Sequence, residues 1–359
     1  MRVAQAVGAS MVQSNINALV THAFPRSQRG TALGLNGAAV GIGLGLGPLF
    51  GGQLLGAFGW QALFWSRVPL GVLAIGLAIF VIPSDHRRSR APLRIDYAGP
   101  LLLAATATTA LLALNLAGRG GIGQPVVWML AAVSPLLLLA LIRVEKRVPR
   151  PVIEFAQFRH RVFAWAQLSQ LAHYAAMGIF VFLGAFFLVD GLGFSDGKAG
   201  LVLTVLPVMR VAGGPISGAI SDRVGSRPPT MAGLAVLGTG FLLLFLRGQT
   251  ASLGEIVAIL ALAGLGSAVF DAPNVSAIMG SSRSDRLSAA AAYVTAGRQI
   301  SQSIGITLGG ALFALRQQAL LNAGAAHSTA VITAFDDAML AAAVICFVGI
   351  GVAFMRGRA

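Results

Sequence analysis

The sequence predicts an all-α, polytopic membrane helical bundle, and three observations carry that prediction. Of 359 residues, 56% are hydrophobic and only 11% are charged, with a mean hydropathy of +0.79. A soluble domain wets its surface with about 25% charged residues. The apolar residues fall in runs of about 20, the length that crosses a bilayer core, and short basic loops separate them. Period-2 alternation is absent, so the runs are helices rather than barrel strands. The same composition excludes intrinsic disorder.

Eleven spans follow one another at roughly 3–24, 31–56, 63–82, 97–117, 126–143, 162–189, 199–220, 229–247, 254–279, 289–316 and 336–355. Each is justified by its apolar run and by the basic residues that punctuate it. Arg26 and Arg29 follow the first span, and Arg67 lies at the entry to the third. Arg87, Arg88, Arg90 and Arg94 separate the third from the fourth, and Arg119 separates the fourth from the fifth. Arg143, Lys146, Arg147, Arg150, Arg159 and Arg161 precede the sixth, and Lys198 follows it. Arg223 and Arg227, then Arg247, then Arg283 and Arg286, then Arg316 mark the next four boundaries, and Arg356 and Arg358 close the chain. Alternate loops therefore hold 18 and 5 basic residues. The positive-inside rule places the richer set, and the C-terminus, in the cytoplasm. Many spans carry Gly, Ala or Ser at intervals of three and four, which lets helix backbones approach closely in lipid.

The net charge of +14 is spread over these loops rather than clustered on one face, which orients a bundle and argues against a nucleic-acid partner. Cys346 is the single cysteine, so neither an intrachain disulfide nor a zinc-type spacing is available. No H-E-x-x-H, G-x-S-x-G or G-x-x-x-x-G-K-[ST] motif occurs, so nothing points to an enzyme. The stretch from Arg143 to Arg161 mixes basic residues with Val152, Ile153, Phe155 and Phe158. It is expected to lie along the membrane surface as an amphipathic linker. The resulting division is a front part at 1–143, a linker at 144–161 and a rear six-span part at 162–359. Eleven spans with a cytoplasmic C-terminus put Met1 on the outer face, with no cleavable signal. The expectation is that the chain begins partway through a longer protein.

Three motifs stand out. The first span opens Arg2-Val3-Ala4-Gln5-Ala6, the second ends Gly43-Leu44-Gly45-Leu46-Gly47-Pro48-Leu49-Phe50-Gly51-Gly52, and the seventh is followed by Gly218-x-x-x-Asp222-Arg223-x-Gly225-x-Arg227. Together these resemble the major facilitator superfamily: its R-x-x-Q-G helix, its G-P-x-x-G-G antiporter helix and its G-x-x-x-D-R-x-G loop. Gly59-Trp60, Phe64, Val68-Pro69-Leu70-Gly71, Asp96, Gly99 and Arg298-Gln299 make the 14-span drug:proton antiporters the most similar branch. Ala6 in place of Gly, Gln61, Ala62 and Arg67 in place of Arg, Trp and Asn, and Ser226 in place of a basic residue depart from that pattern. The resemblance implies a major-facilitator fold lacking about three N-terminal spans. The front part then keeps three spans of its bundle plus two extra linker spans.

Each motif has a reading from its residues alone. Gly43-x-Gly45-x-Gly47 imitates a dinucleotide fingerprint, but that requires a strand and a βαβ unit, whereas this segment lies in a membrane helix. Its physical content is close helix packing and a kink at Pro48 that frees a backbone carbonyl. The resemblance assigns Gly43, Gly47, Pro48, Gly51 and Gly52 to an antiporter-type seal; packing glycine is the alternative. In the loop, Gly225 permits a tight turn and Asp222 can pair with Arg223 and Arg227 as a cytoplasmic latch. The alternative is that the two arginines serve orientation only.

Ionisable residues deep in a span are costly and mark function. At ~1.5 Å per residue, Asp271, Arg298, Arg210 and His173 lie ~14, ~15, ~17 and ~18 Å from the nearest span end, near the midplane where secondary transporters bind substrate. Asp271 is the acidic residue unambiguously deep in a span, while Asp190, Asp336 and Asp337 read as outer ends. Asp271 is expected to pair with Arg298 or Arg210 and to respond to a proton or a substrate, or else to form a static ion pair. His173 reads as a proton relay or as a hydrogen-bonded packing residue. Arg2 and Gln5 match the helix that the family associates with proton coupling.

The function these expectations add up to is proton-coupled export of small amphipathic or cationic compounds across the cytoplasmic membrane by alternating access. It uses the proton gradient and no cofactor or metal, and the protein works as a monomer in the lipid bilayer. An importer of metabolites with the same fold is one alternative. A truncated, non-transporting membrane protein is the other, because a cavity lacking one wall does not alternate between sealed states.

Overall fold

The computed structural model describes residues 4–9, 11–12, 19, 29–81, 98–118, 124–148, 155–281 and 287–356. Helix follows helix, with no strand among the described residues: α1 (Arg29–Phe58), α2 (Ala62–Trp65), α3 (Arg67–Val81), α4 (Ala98–Gly118), α5 (Pro125–Glu145), α6 (Arg161–Phe186), α7 (Asp196–Val224), α8 (Arg227–Arg247), α9 (Leu253–Gly280), α10 (Leu287–Asn322) and α11 (His327–Met355). A 3₁₀ turn, Phe155–Arg159, precedes α6, and a π-helical turn, Phe187–Gly191, ends it. Among the described residues nine helical stretches are long and apolar enough to cross a membrane, the first of them combining α2 and α3 as Ala62–Val81. They coincide with the last nine expected spans, and α1 occupies the second. Most of the first expected span lies outside the described residues, which are helical at 4–9 and 11–12.

Two helices outrun their expected limits the furthest. α10 continues six residues past 316 to Asn322, and α11 starts nine residues before 336 at His327. The apolar run measures the hydrocarbon thickness and not the helix. The 36 residues of α10 span ~54 Å at ~1.5 Å each, well beyond a core of ~30 Å.

The rear helices α6–α11 pack around a continuous core in which Phe180, Phe187, Phe241, Phe335, Leu237 and Cys346 are buried. Water does not drive helices together inside lipid, so backbone approach and dispersion must hold them. Glycine makes that approach possible. A Cβ on Gly233 would lie 2.5 Å from the backbone nitrogen of Phe270, and one on Gly266 would lie 2.5 Å from that of Leu237, so α8 and α9 meet backbone to backbone. Gly178 and Gly305 do the same between α6 and α10, facing the backbones of Gln302 and Ala175. The Phe187 and Phe335 rings stack at 4.1 Å and tie the end of α6 to α11.

The front helices are attached differently. α1 lies along α7, α4 pairs with α5, and α4 also touches α10. No residue of α2 or α3 is buried, and Ile79 and Phe80 are 72% and 89% exposed, an apolar surface suited to lipid. The linker makes one contact that its amphipathic pattern did not indicate. Phe158 stands edge-on to Phe163 at 5.1 Å and to Tyr293 at 6.3 Å, so its ring docks on the rear bundle. Residues 149–154 of the linker lie outside the described residues.

Proline inside α9 has a specific partner. Pro273 has no N–H for the carbonyl of Val269 four residues earlier, and a freed carbonyl in a membrane needs another donor. Ser217 of α7 supplies it, its Oγ donating to the Val269 oxygen at 3.0 Å. Ser217→Ala is expected to lower stability by about 1 kcal/mol, the net worth of one such bond, read as a lower thermal midpoint of the detergent-purified protein.

Candidate substrate and proton site

Four rear helices bring their ionisable groups together at one level. Asp271 of α9 accepts from three donors. Tyr174 Oη of α6 donates to Asp271 Oδ1 at 2.7 Å, Arg210 Nε of α7 donates to Oδ2 at 2.7 Å, and Arg210 Nη2 donates to the same Oδ2. Arg210 Nη2 also donates to Tyr174 Oη at 2.9 Å, which closes a three-membered ring of hydrogen bonds. Of the two partners the sequence left open for Asp271, the structure selects Arg210. The pair is only partly enclosed, the side chains of Arg210 and Asp271 keeping 22% and 21% exposure.

Arg298 of α10 joins the cluster through the ring of Tyr174 rather than through the carboxylate. Its guanidinium carbon lies 5.0 Å from the ring centroid, and that of Arg210 lies 5.6 Å from the same centroid. Tyr174 therefore meets two cations with its π-system and one anion with its hydroxyl. Arg298 Nε is buried without a hydrogen-bond partner among the described residues. Close packing puts Arg298 there, because a Cβ on the preceding Gly297 would lie 2.6 Å from Gln170 Nε2 of α6. Gln170 Nε2 itself donates to the Val294 carbonyl of α10 at 3.0 Å.

His173 is fully buried beside the cluster. Its Nε2 lies 2.9 Å from Ser267 Oγ, and its ring stacks on Phe270 at 4.2 Å and 5°. Nδ1 has no hydrogen-bond partner among the described residues. These contacts are those of a hydrogen-bonded packing residue, the ring serving both the stack and the single bond.

Tyr174, Ser267 and Phe270 complete the site, and none of the three carries a formal charge that would mark it in the sequence. Tyr174 left a signal nonetheless. It is one of only three tyrosines in the chain, and a phenol in an apolar span calls for a hydrogen-bond partner.

The other expected site residues fall elsewhere. Gln5 is an exposed residue of the helical segment at 4–9, and Arg2 lies outside the described residues. In α1, Gly43 and Gly47 have open space at the Cβ position among the described residues, and Gly51 has only Leu63 at 3.8 Å. Gly43 and Gly47 both sit on parts of α1 that no described neighbour approaches. The close approach is made by Gly52, whose Cβ would lie 2.6 Å from the Asp196 carbonyl oxygen, and by Gly41, whose Cβ would overlap Val211. Both partners belong to α7, so α1 packs closely against the helix that carries Arg210. The side chain of Pro48 lies outside the described residues.

In the loop between α7 and α8, Gly218 has open space at its Cβ position and Arg223 is exposed. The Asp222 side chain lies outside the described residues. Arg227 places its guanidinium 4.3 Å from the Phe354 ring of α11. Beside it Arg356 is buried, donating to Ser226 Oγ at 2.6 Å and to Asn274 Oδ1 at 3.4 Å. Burial and then the nearby Arg227 pull the Arg356 guanidinium down to about 10. Three helix ends are thus tied at this loop. Gly225 caps α7 at φ 80° and ψ 168°, a conformation left almost entirely to glycine. Gly225→Ala is expected to cost about 1–3 kcal/mol, measured as a drop in the thermal midpoint.

Comparisons with known proteins agree with this architecture. The family profile described as Major Facilitator Superfamily matches residues 1–195 and again residues 168–356. The riboflavin transporter RibZ of Clostridioides difficile is 29% identical over 99% of this chain and 76% of its own length. The multidrug resistance protein Stp of Mycobacterium tuberculosis is 30% identical over 87% of this chain, which spans only 58% of that relative. A solved bacterial homolog of the human lysosomal transporter Spinster, inward-facing and unoccupied, superposes with a TM-score of 0.55 at 17% identity. That superposition covers 95% of this chain and 73% of the other.

Proposed function

This chain belongs to the major facilitator superfamily of membrane transporters, and from that premise we propose that it exports small organic molecules across the cytoplasmic membrane in exchange for protons. The observation that carries the reading is the cluster where α6, α7 and α9 meet: one carboxylate held by a guanidinium and a phenol. It lies at the depth where secondary transporters bind their substrates.

The mechanism follows from charge. Ionised Asp271 bridges α7 and α9 through Arg210. A proton on Asp271 removes the charge that holds Arg210, and the bridge loosens. A solute that binds one state of the bridge better than the other shifts the balance between them, and by linkage it shifts proton affinity too. Export requires the seal between α1 and α7, at Gly52 against Asp196, to open while the cytoplasmic loop around Gly225 closes. The energy source is the proton gradient, and the protein acts as a monomer in the bilayer without a cofactor.

Similarity to a multidrug resistance protein supports the export reading. A second reading, co-transport of a metabolite with a proton, is favoured by the riboflavin transporter, whose similarity spans 99% of this chain against 87% for the multidrug protein. Vesicles containing the full-length protein and an internal pH-sensitive dye separate the two. Exchange predicts proton movement opposite to that of an added drug or riboflavin, and co-transport predicts movement in the same direction. Solute-independent proton movement, or none, would overturn both.

A further inference from the structure

The charges at the centre do not balance. Asp271 contributes one negative charge, and both of its oxygens are occupied, Oδ1 by Tyr174 and Oδ2 by Arg210. Arg298 contributes a second positive charge, and the carboxylate near it is bonded to Tyr174 and Arg210 instead. Among the described residues it makes neither a hydrogen bond nor an ion pair, and its guanidinium carbon lies 5.0 Å from the centroid of the Tyr174 ring. No other carboxylate among the described residues pairs with Arg298. Residues 1–84 contain no Asp or Glu at all, and Glu145 is the last residue of α5.

This imbalance bears on what the site binds. An uncompensated guanidinium near the midplane is costly, and a bound anion would lower that cost. Its planar fork of five N–H donors matches a carboxylate in two parallel bonds. An organic cation would meet the reverse: a site with excess positive charge, whose one carboxylate is already engaged three times. The expectation of amphipathic or cationic substrates, drawn from apolar, Gly-rich walls and few internal charges, took no account of this balance.

We infer that the site selects small organic anions, with Arg298 as the receptor for the substrate's carboxylate, and discriminates against organic cations. The inference rests on the transport reading above and names its substrate class. Tyr174 is the positioning residue. Its ring holds Arg298 on one side of the Asp271–Arg210 pair, so a carboxylate on Arg298 lies close to the pair without displacing it.

Three probes on one skeleton test this: 2-naphthoate, its neutral amide, and 2-naphthylmethylammonium. Binding is measured by calorimetry on the full-length protein in lipid nanodiscs. The carboxylate is expected to bind about ten-fold or more tightly than the amide, as one charge-assisted bidentate pair provides, and the ammonium more weakly than either. In Arg298→Gln the carboxylate and the amide are expected to bind within about two-fold of each other, the charge-assisted contribution being gone. Arg298→Lys keeps the charge without the fork and should retain part of the preference. It also guards against misreading a variant that fails to fold.

Tighter binding of the ammonium overturns the inference. So does an undiminished preference in Arg298→Gln, which would make Arg298 an alternate partner for Asp271 instead, and so does failure of all three probes to bind. The solute-driven proton assay separates this inference from the reading beneath it. Proton movement driven by the ammonium and not by the carboxylate sinks the anion inference and leaves transport standing. Arg298-dependent carboxylate binding with no proton movement for any solute sinks the proton-coupled reading and leaves the anion inference standing.

Discussion

Asp271→Asn is expected to abolish proton-coupled solute movement in vesicles and to cost about 3 kcal/mol of stability, the low end for breaking a buried ion pair. The low end applies because both partners keep about a fifth of their side-chain surface exposed, and water screens what remains. The substitution keeps the shape of the side chain and a carbonyl to accept from Tyr174. What it removes is the charge that compensates Arg210. Arg210→Gln alone is expected to lose coupling as well, since Asp271 then keeps only the bond from Tyr174. Combining the two substitutions leaves no unpaired charge at this pair, so the double variant should regain part of the stability while coupling stays absent. Thermal unfolding of the four proteins reads the first effect as a coupling energy. The proton-flux assay reads the second, which a purely structural pair would not govern.

Gly305→Val is expected to have the largest effect on folding. Even a Cβ at this position would collide with the Ala175 carbonyl, the next residue after Tyr174 in α6. Backbone cannot turn aside as a side chain can, so α10 must move away from α6. Overpacking of this kind costs about 1–3 kcal/mol and sometimes more, and here the displaced surface also carries Arg298. Loss of monodisperse protein in gel filtration is the expected result. Gly324→Ala provides a matched control for steric crowding: nothing described lies within 4 Å of a Cβ there, although the positive φ of 85° adds local strain. It should leave the protein monodisperse.

The spans were legible because lipid imposes length and apolarity on any helix that crosses it. What the runs could not give was where helices end beyond the bilayer, as α10 and α11 illustrate. Depth along a helix was legible too, so Asp271, Arg210, Arg298 and His173 could each be placed at mid-span. Azimuth was not. Spacing within one helix does not say which arginine of two other helices faces Asp271, and the choice of Arg210 came only with the packed bundle. Tyr174 was not legible because it carries no formal charge, whereas its role is to accept a bond from Arg210 and donate one to Asp271. Ser217 escaped for a related reason. Its partner is a carbonyl exposed by Pro273 on another helix, a relation between two positions that neither shows alone. In α1 the motif drew attention to Gly43 and Gly47, while the packing uses Gly41 and Gly52. A glycine run identifies a helix suited to close approach without saying which of its faces is approached.

The measurement that tests the central claim most directly is infrared difference spectroscopy of the full-length protein in lipid, with and without transported solute. The claim is that Asp271 gains and loses a proton as Arg210 leaves and rejoins it. A protonated-carboxyl band that changes on solute addition, and that Asp271→Asn eliminates, is the predicted result. A band that persists in Asp271→Asn, or a carboxylate that stays ionised with and without solute, would contradict the account and make the Asp271–Arg210 pair a fixed strut between α7 and α9.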